Sequence, residues 1–179
     1  MVRLSTERLL LRPFEQWDLE DLFEYARQPE VGPAAGWRPH EDIEETREVL
    51  QNFLGNSGEL AIVDRAEDKV IGSIGLTKDE RRDNNRAKAM GYALNRHYWG
   101  RGYMAEAVGA VLNYGFNTLL LNLVSIYHFP FNEQSRRVIE KCGFVYEGTL
   151  RQAKGIYDGR VHDVVCYSMT REEYRNYCK

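Results

Sequence analysis

Apolar residues recur in this chain with two periods, and the switches between them mark out its elements. Thr6 to Pro13 alternates Leu9 and Leu11 against Leu10 and Arg12, the period of a first strand. Leu19, Leu22, Phe23 and Ala26 have helical spacing, predicting a helix over Asp18 to Arg27 that stops before Pro29. A second helix is expected over Glu41 to Leu54, on the stripe Ile43, Val49, Leu50, Phe53 and Leu54. Between them, Glu30 to Pro39 carries prolines, glycines and Trp37, the composition of a surface loop. Strands follow at Glu59 to Asp64, Lys69 to Leu76 and Lys88 to Asn95. After Gly102, Met104, Val108, Val111, Leu112, Gly115 and Leu119 define one helical face. Leu123 to Phe129 reads as a strand, and Glu133 to Cys142 as a short helix closed by Gly143. Phe144 to Gln152 and Arg160 to Met169 read as the last two strands, before a polar tail.

This order predicts an α/β (α+β) fold with a mixed sheet flanked by helices. No linker, repeat or low-complexity tract divides it, so residues 1–179 read as a single domain. From Ala87 to Phe129 the order strand, loop, helix, strand requires a crossover, which makes those two strands parallel neighbours.

Composition narrows the function classes. A net charge of -3 argues against nonspecific nucleic-acid binding. The longest apolar run, Leu119 to Ile126, is too short to span a membrane and is broken by Asn122. Three cysteines without CxxC spacing argue against a disulfide framework or a zinc site and point to a reducing cytoplasm. Cys142 and Cys166 are expected in the core.

The chemistry concentrates in Tyr98-Trp99-Gly100-Arg101-Gly102-Tyr103-Met104, where a strand feeds a glycine loop that opens a helix. The first N–H groups of such a helix lack internal partners, and its dipole adds positive charge, so the turn suits a phosphate or pyrophosphate. Gly100 and Gly102 permit positive φ and close approach of phosphate oxygens. A GxGxxG Rossmann pattern and a GxxxxGK[ST] loop are both absent.

The stretches GYALNRHYWGRGYMAEAVGAVLNYGF, NEQSRRVIEKCGF and GFVYEGTLRQAKGIYDGRVHDVVCYSM resemble the GNAT acetyltransferase superfamily. With its TERLLLRP opening, the chain is similar to the branch holding ribosomal-protein-alanine N-acetyltransferases. The resemblance implies the GNAT fold, with about seven strands, about four helices and a splayed parallel pair whose first strand carries a bulge. It implies acetyl-CoA as donor and a primary amine as acceptor, most plausibly a protein N-terminus, in direct transfer within a ternary complex. Its [QR]xxGx[GA] pattern maps to His97, Gly100 and Gly102, with His97 replacing the usual Gln or Arg. Backbone amides from Tyr98, Trp99, Arg101, Tyr103 and Met104 complete the phosphate site, and Leu94 offers a backbone contact to the pantetheine arm.

The same resemblance gives Asn132 a cofactor contact beside its role as N-cap, and Ser135 a proton for the departing thiolate beside a plain cap-region role. Trp37 and Tyr157 become walls of an acceptor site gathered from Glu30–His40 and Lys154–Gly159. The general base stays open among Glu30, Glu59, Glu147 and His128, with surface ion pairs expected for the carboxylates and a structural role for the histidine. A small-molecule acceptor and a non-catalytic acyl-CoA-binding module remain as alternatives. Exposed edge strands leave room for a homodimer.

Overall fold

The computed structural model describes residues 2–55 and 58–178. Eight strands form one sheet: β1 (Leu4–Ser5), β2 (Leu9–Arg12), β3 (Glu59–Asp64), β4 (Lys69–Lys78), β5 (Ala87–Leu94), β6 (Leu123–His128), β7 (Val145–Gly155) and β8 (Val161–Thr170). Their spatial order is β1-β2-β3-β4-β5-β6-β8-β7. Helices α1 (Leu19–Ala26), α2 (Gly32–Ala35), α3 (Ile43–Gly55), α4 (Tyr103–Asn113), α5 (Glu133–Lys141) and α6 (Arg171–Tyr177) flank it.

Two apolar clusters hold the layers together. On one face, Leu9, Leu11, Ile62, Ile74 and Met90 from the sheet meet Met104, Val108, Val111, Leu112 and Ile139 from α4 and α5. On the other, Ala61, Val63 and Val70 meet Leu19, Leu22, Tyr25 and Leu50 from α1 and α3. The period-2 alternation of β2 explains the split: Leu9 and Leu11 are fully buried while Leu10 and Arg12 are partly exposed.

The crossover expectation holds. β5 and β6 are parallel, paired from Ala87↔Leu123 to Met90↔Ile126. Beyond that point β5 continues to Leu94 without its neighbour, which leaves the edge of Gly91 to Leu94 open. The β4–β5 register runs unbroken from Gly72↔Leu94 to Lys78↔Lys88, so the splay arises without the bulge expected in β5. The irregularity sits one pair further away, where Ile62↔Gly72 is followed by Val63↔Val70 and Ile71 becomes the extra residue. The Ile71 carbonyl then accepts the Asn95 amide at 2.7 Å, which anchors the end of β5.

The described residues hold eight strands and six helices, where periodicity gave seven and four. Leu4–Ser5 adds a short strand and Gly32–Ala35 a single helical turn, both below the length a periodic signal needs. The polar tail also folds. Thr170 and Glu173 form a reciprocal capping box, and Tyr174 stacks on Phe116 with centroids 4.8 Å apart. Among the described residues no helix is long and apolar enough to cross a membrane.

Candidate active site

Two cavities meet at the splayed edge. The first, about 270 Å³, lies between the free end of β5, the start of α4 and the side of α5. Gly100 and Gly102 adopt φ of +75° and +80°, conformations that side-chain-bearing residues enter at a cost of roughly 1–2 kcal/mol. Gly102 is the N-cap of α4 and supplies no side-chain cap, so the first-turn amides are left for an anion. A Cβ built on Gly100 meets no atom within 4 Å, so the position faces open space. Arg137 and Lys141 line the same cleft, and neither is ion-paired among the described residues. They provide mobile positive charge opposite the helix end.

The opening strand motif holds this loop in place. Arg8 donates from Nε to Glu106 Oε2 at 2.7 Å and from Nη1 to the Arg101 carbonyl at 3.0 Å. Thr6 Oγ1 and the Arg8 amide both donate to Glu106 Oε1, at 2.5 and 2.9 Å. Glu106 sits in the first turn of α4, where an anionic substrate would otherwise feel its charge. These bonds hold its carboxyl below the usual range despite burial.

The cavities join at Tyr92, Asn132 and Ser135, which line both. The Tyr92 hydroxyl and Ser135 Oγ are 3.0 Å apart. Burial pushes the Tyr92 phenol up, so it holds its proton. Asn132 Oδ1 accepts the Ser135 amide at 3.0 Å, the expected N-cap, and its Nδ2 donates to the Ala34 carbonyl at 2.8 Å. Both ends of that side chain are therefore engaged, and it fixes Ser135 against α2.

The second cavity, about 490 Å³, lies under α1 and α3 on the opposite face of the sheet. Its floor is three cross-strand pairs of small residues, Ser73↔Ala93, Gly75↔Gly91 and Thr77↔Ala89. Tyr25, Trp37, Phe53 and Phe129 supply walls. Glu59 is its one carboxyl among the described residues, and burial pushes that group up to about 7. Glu59 also lacks the surface ion pair expected of it, whereas Glu30 pairs with Arg96 at 3.2 Å and Glu147 pairs with Arg82.

A phosphate-ready helix end, a splayed strand edge and an acceptor-sized cavity behind it form one arrangement. Residues 8–145 match the family model described as an acetyltransferase (GNAT) domain. The chain belongs to the GNAT acetyltransferases.

It is 34% identical to the uncharacterized N-acetyltransferase p20 of Bacillus licheniformis, over 97% of this chain and 99% of that protein. The crystal structure of a GNAT-family acetyltransferase from Bacillus anthracis superposes with a TM-score of 0.86 at 27% identity, covering 96% and 99% of the two chains. The ribosomal-protein-S5-alanine acetyltransferase of Vibrio fischeri shares the fold at 23% identity and a TM-score of 0.75, over 97% of this chain and 99% of that one. The spermidine N(1)-acetyltransferase of Vibrio cholerae is 24% identical over 94% of this chain and 96% of its own length. GNAT enzymes take their acyl group from acetyl-CoA, and the cleft between β5, α4 and α5 fits its diphosphate.

Of the acetyltransferase residues singled out by sequence, Leu94, Tyr98, Trp99, Gly100, Gly102, Tyr103, Met104, Asn132 and Ser135 line the first cleft. The Leu94 carbonyl already accepts the Trp99 indole N–H at 2.8 Å. His97 and Arg101 are exposed outside the cleft, Arg101 with its guanidinium 5.6 Å from the Tyr98 ring centre. Trp37 lines the second cavity, while Tyr157 is half-exposed beyond both. His128 is buried, its Nδ1 2.8 Å from the Phe129 carbonyl. Sequence reasoning missed Tyr92, Arg137, Lys141 and the Arg8 clamp. All four lie inside the quoted family stretches, Arg8 in the opening motif, Tyr92 in GYALNRHYW and Arg137 and Lys141 in NEQSRRVIEKCGF, but no spacing within the chain marked them as site residues.

Proposed function

We propose that this enzyme transfers the acetyl group of acetyl-CoA to the α-amino group of a protein N-terminus, by direct attack in a ternary complex. The observation that carries this reading is the single carboxyl in an acceptor cavity whose lining otherwise holds no aspartate, glutamate, lysine or arginine among the described residues. A polyamine holds several charges along its length and calls for several spaced anions, while one α-ammonium calls for one. An α-amino group, with pKa near 8, is about one-tenth neutral at pH 7, whereas a lysine-type amine near 10.4 is neutral in fewer than about one molecule in a thousand. Half-exposed Phe131 and Tyr157 stand on the surface beyond the cavity, where a chain trailing from the acceptor residue would run.

Acetyl-CoA supplies a thioester carbonyl open to attack and a thiol leaving group. Arg137, Lys141 and the first turn of α4 hold the diphosphate, and the open edge of β5 receives the pantetheine arm. The Tyr92–Ser135 hydroxyl pair protonates sulfur as the C–S bond breaks. Direct transfer fits the cysteines: burial pushes the Cys142 thiol up to about 11 and raises Cys166, so neither is poised to form an acyl-enzyme. Free thiols also fit a reducing cytoplasm.

Release of CoA thiol, followed against peptides with free alanine or serine N-termini, spermidine and an aminoglycoside, tests the assignment. Turnover with the peptides is expected. Turnover with spermidine alone would transfer the enzyme to the polyamine class, and acetyl-CoA binding with no turnover on any amine would make it a regulatory module.

A further inference from the structure

We infer that Glu59 accepts the proton that the acceptor's ammonium must lose before its nitrogen can attack. The inference rests on the acceptor cavity proposed above, and its geometry comes from strand register. Glu59 pairs with Gly75 across β3 and β4, and Gly75 pairs with Gly91 across β4 and β5. The three residues form one row on the cavity face, and two of them lack side chains. The Glu59 carboxylate therefore lies flat over the neighbouring strand: a Cβ built on Gly75 would fall 1.6 Å from Oε2. One strand further, about 4.8 Å away, a Cβ on Gly91 would meet no atom within 4 Å. Gly91 is also the first residue of β5 past the last β5–β6 pair, and the next residue is Tyr92 with its bond to Ser135. Carboxylate and open floor thus run along the cavity face toward the splayed edge, where Tyr92, one residue on and turned to the other face, meets Ser135 and both line the cavity mouth.

The surroundings leave this carboxyl able to change charge. Among the described residues no cation pairs with it. Tyr25 from α1 and His40 after α2 face the same cavity, with the phenol raised and the imidazole lowered by burial, so neither meets it as a charge at neutral pH. Tyr92 of β5 and Tyr127 and His128 of β6 complete the titratable lining. Burial alone displaces Glu59 upward, which narrows its gap to an α-ammonium to about one pKa unit, a tenfold cost, against more than a thousandfold for a lysine-type amine.

In the step, the carboxylate takes one proton from R–NH3+, leaving a neutral amine and a carboxylic acid. The amine lone pair forms the C–N bond, and the C–S electron pair leaves with sulfur. Tyr92 and Ser135 hand sulfur a proton and regain the one shed by the new amide nitrogen. Glu59 then returns its proton to solvent, so one ammonium and one thioester yield one amide, one thiol and one proton.

Glu59→Gln tests this with a peptide beginning in alanine. At pH 7, kcat/KM is expected to fall at least about 100-fold, with acetyl-CoA affinity unchanged by calorimetry. The deficit should shrink above pH 9, where the acceptor is already neutral. Glu59→Asp should keep the wild-type pH limb at reduced rate. An unaltered rate and pH profile in Glu59→Gln would overturn the proposal. If the wild type binds acetyl-CoA but acetylates no amine, the proposed function fails, and Glu59 is judged by infrared titration of its carboxyl in the resting protein. Titration at the ordinary value of 4.5 would overturn the proton-accepting role, and titration near neutrality would uphold it.

Discussion

Replacing Glu59 by Gln should stabilise the protein at the same pH at which it slows catalysis. The folded protein holds the Glu59 proton up to about pH 7, while the unfolded chain releases it at the ordinary value of 4.5. Between those values the folded state binds more protons, so stability falls as pH rises through this window and is level above it. The gap, at ~1.36 kcal/mol per pKa unit, sets about 3.4 kcal/mol as the full loss at pH 8. Water reaching the carboxyl through the cavity mouth reduces that figure, and about 1–3 kcal/mol is expected. Gln has the same shape and no charge to desolvate. At about 2–4 °C per kcal/mol for a chain of this size, the variant should melt roughly 2–12 °C higher at pH 8. Urea unfolding of both proteins at half-unit steps from pH 5 to 8.5 isolates the term, because every other titrating group is shared. The two curves should nearly coincide at pH 5 and part steadily toward pH 7. A gap that does not change with pH, or a variant less stable at pH 8, would refute the reasoning.

Three further outcomes follow from the site. Gly91→Leu should fill the acceptor cavity without a clash, since nothing lies within 4 Å of its Cβ position; peptide kcat/KM should drop at least about 50-fold, and acetyl-CoA affinity, read by calorimetry, should fall far less, because the added side chain enters the acceptor cavity while the pantetheine arm meets backbone. Tyr92→Phe and Ser135→Ala should each lower kcat by about 10- to 100-fold, and because the two hydroxyls share one bond the double variant should lose much less than the product of the two. Independent, multiplicative losses in single-turnover assays would separate them. Arg8→Ala removes the grip on Glu106 and the Arg101 carbonyl; steady-state kinetics should show KM for acetyl-CoA rising about 5- to 10-fold at near-constant kcat, and an unchanged KM would reduce the clamp to a fold contact.

The elements that sequence reading recovered share a cause: their signals are local. Gly100 and Gly102 take positive φ as their positions required, and Asn132 caps α5 through a bond three residues long. The short crossover from β5 to β6 had one allowed outcome, a parallel pair. α6 was missed although Thr170 and Glu173 have capping-box spacing, because the helix owes its single buried anchor, Tyr174, to Phe116 more than fifty residues away. Glu59 was misjudged for a similar reason. A glutamate opening a strand is usually solvated, and nothing nearby in the chain tells that α1 and α3 will roof it over.

Sequence by itself determined the family, the glycine turn before α4, the Asn132 cap and the alternation that assigns strand residues to a face, since all of these follow from neighbours within a few positions. Tertiary structure alone decided that Glu59, Gly75 and Gly91 fall in one row, that Tyr92 meets Ser135, and that two cavities join at Asn132. Register is the physical reason. A slip of one residue in either strand pairing would turn that carboxylate to the other face of the sheet, and register is set by how whole strands and both helical layers bury their apolar faces together.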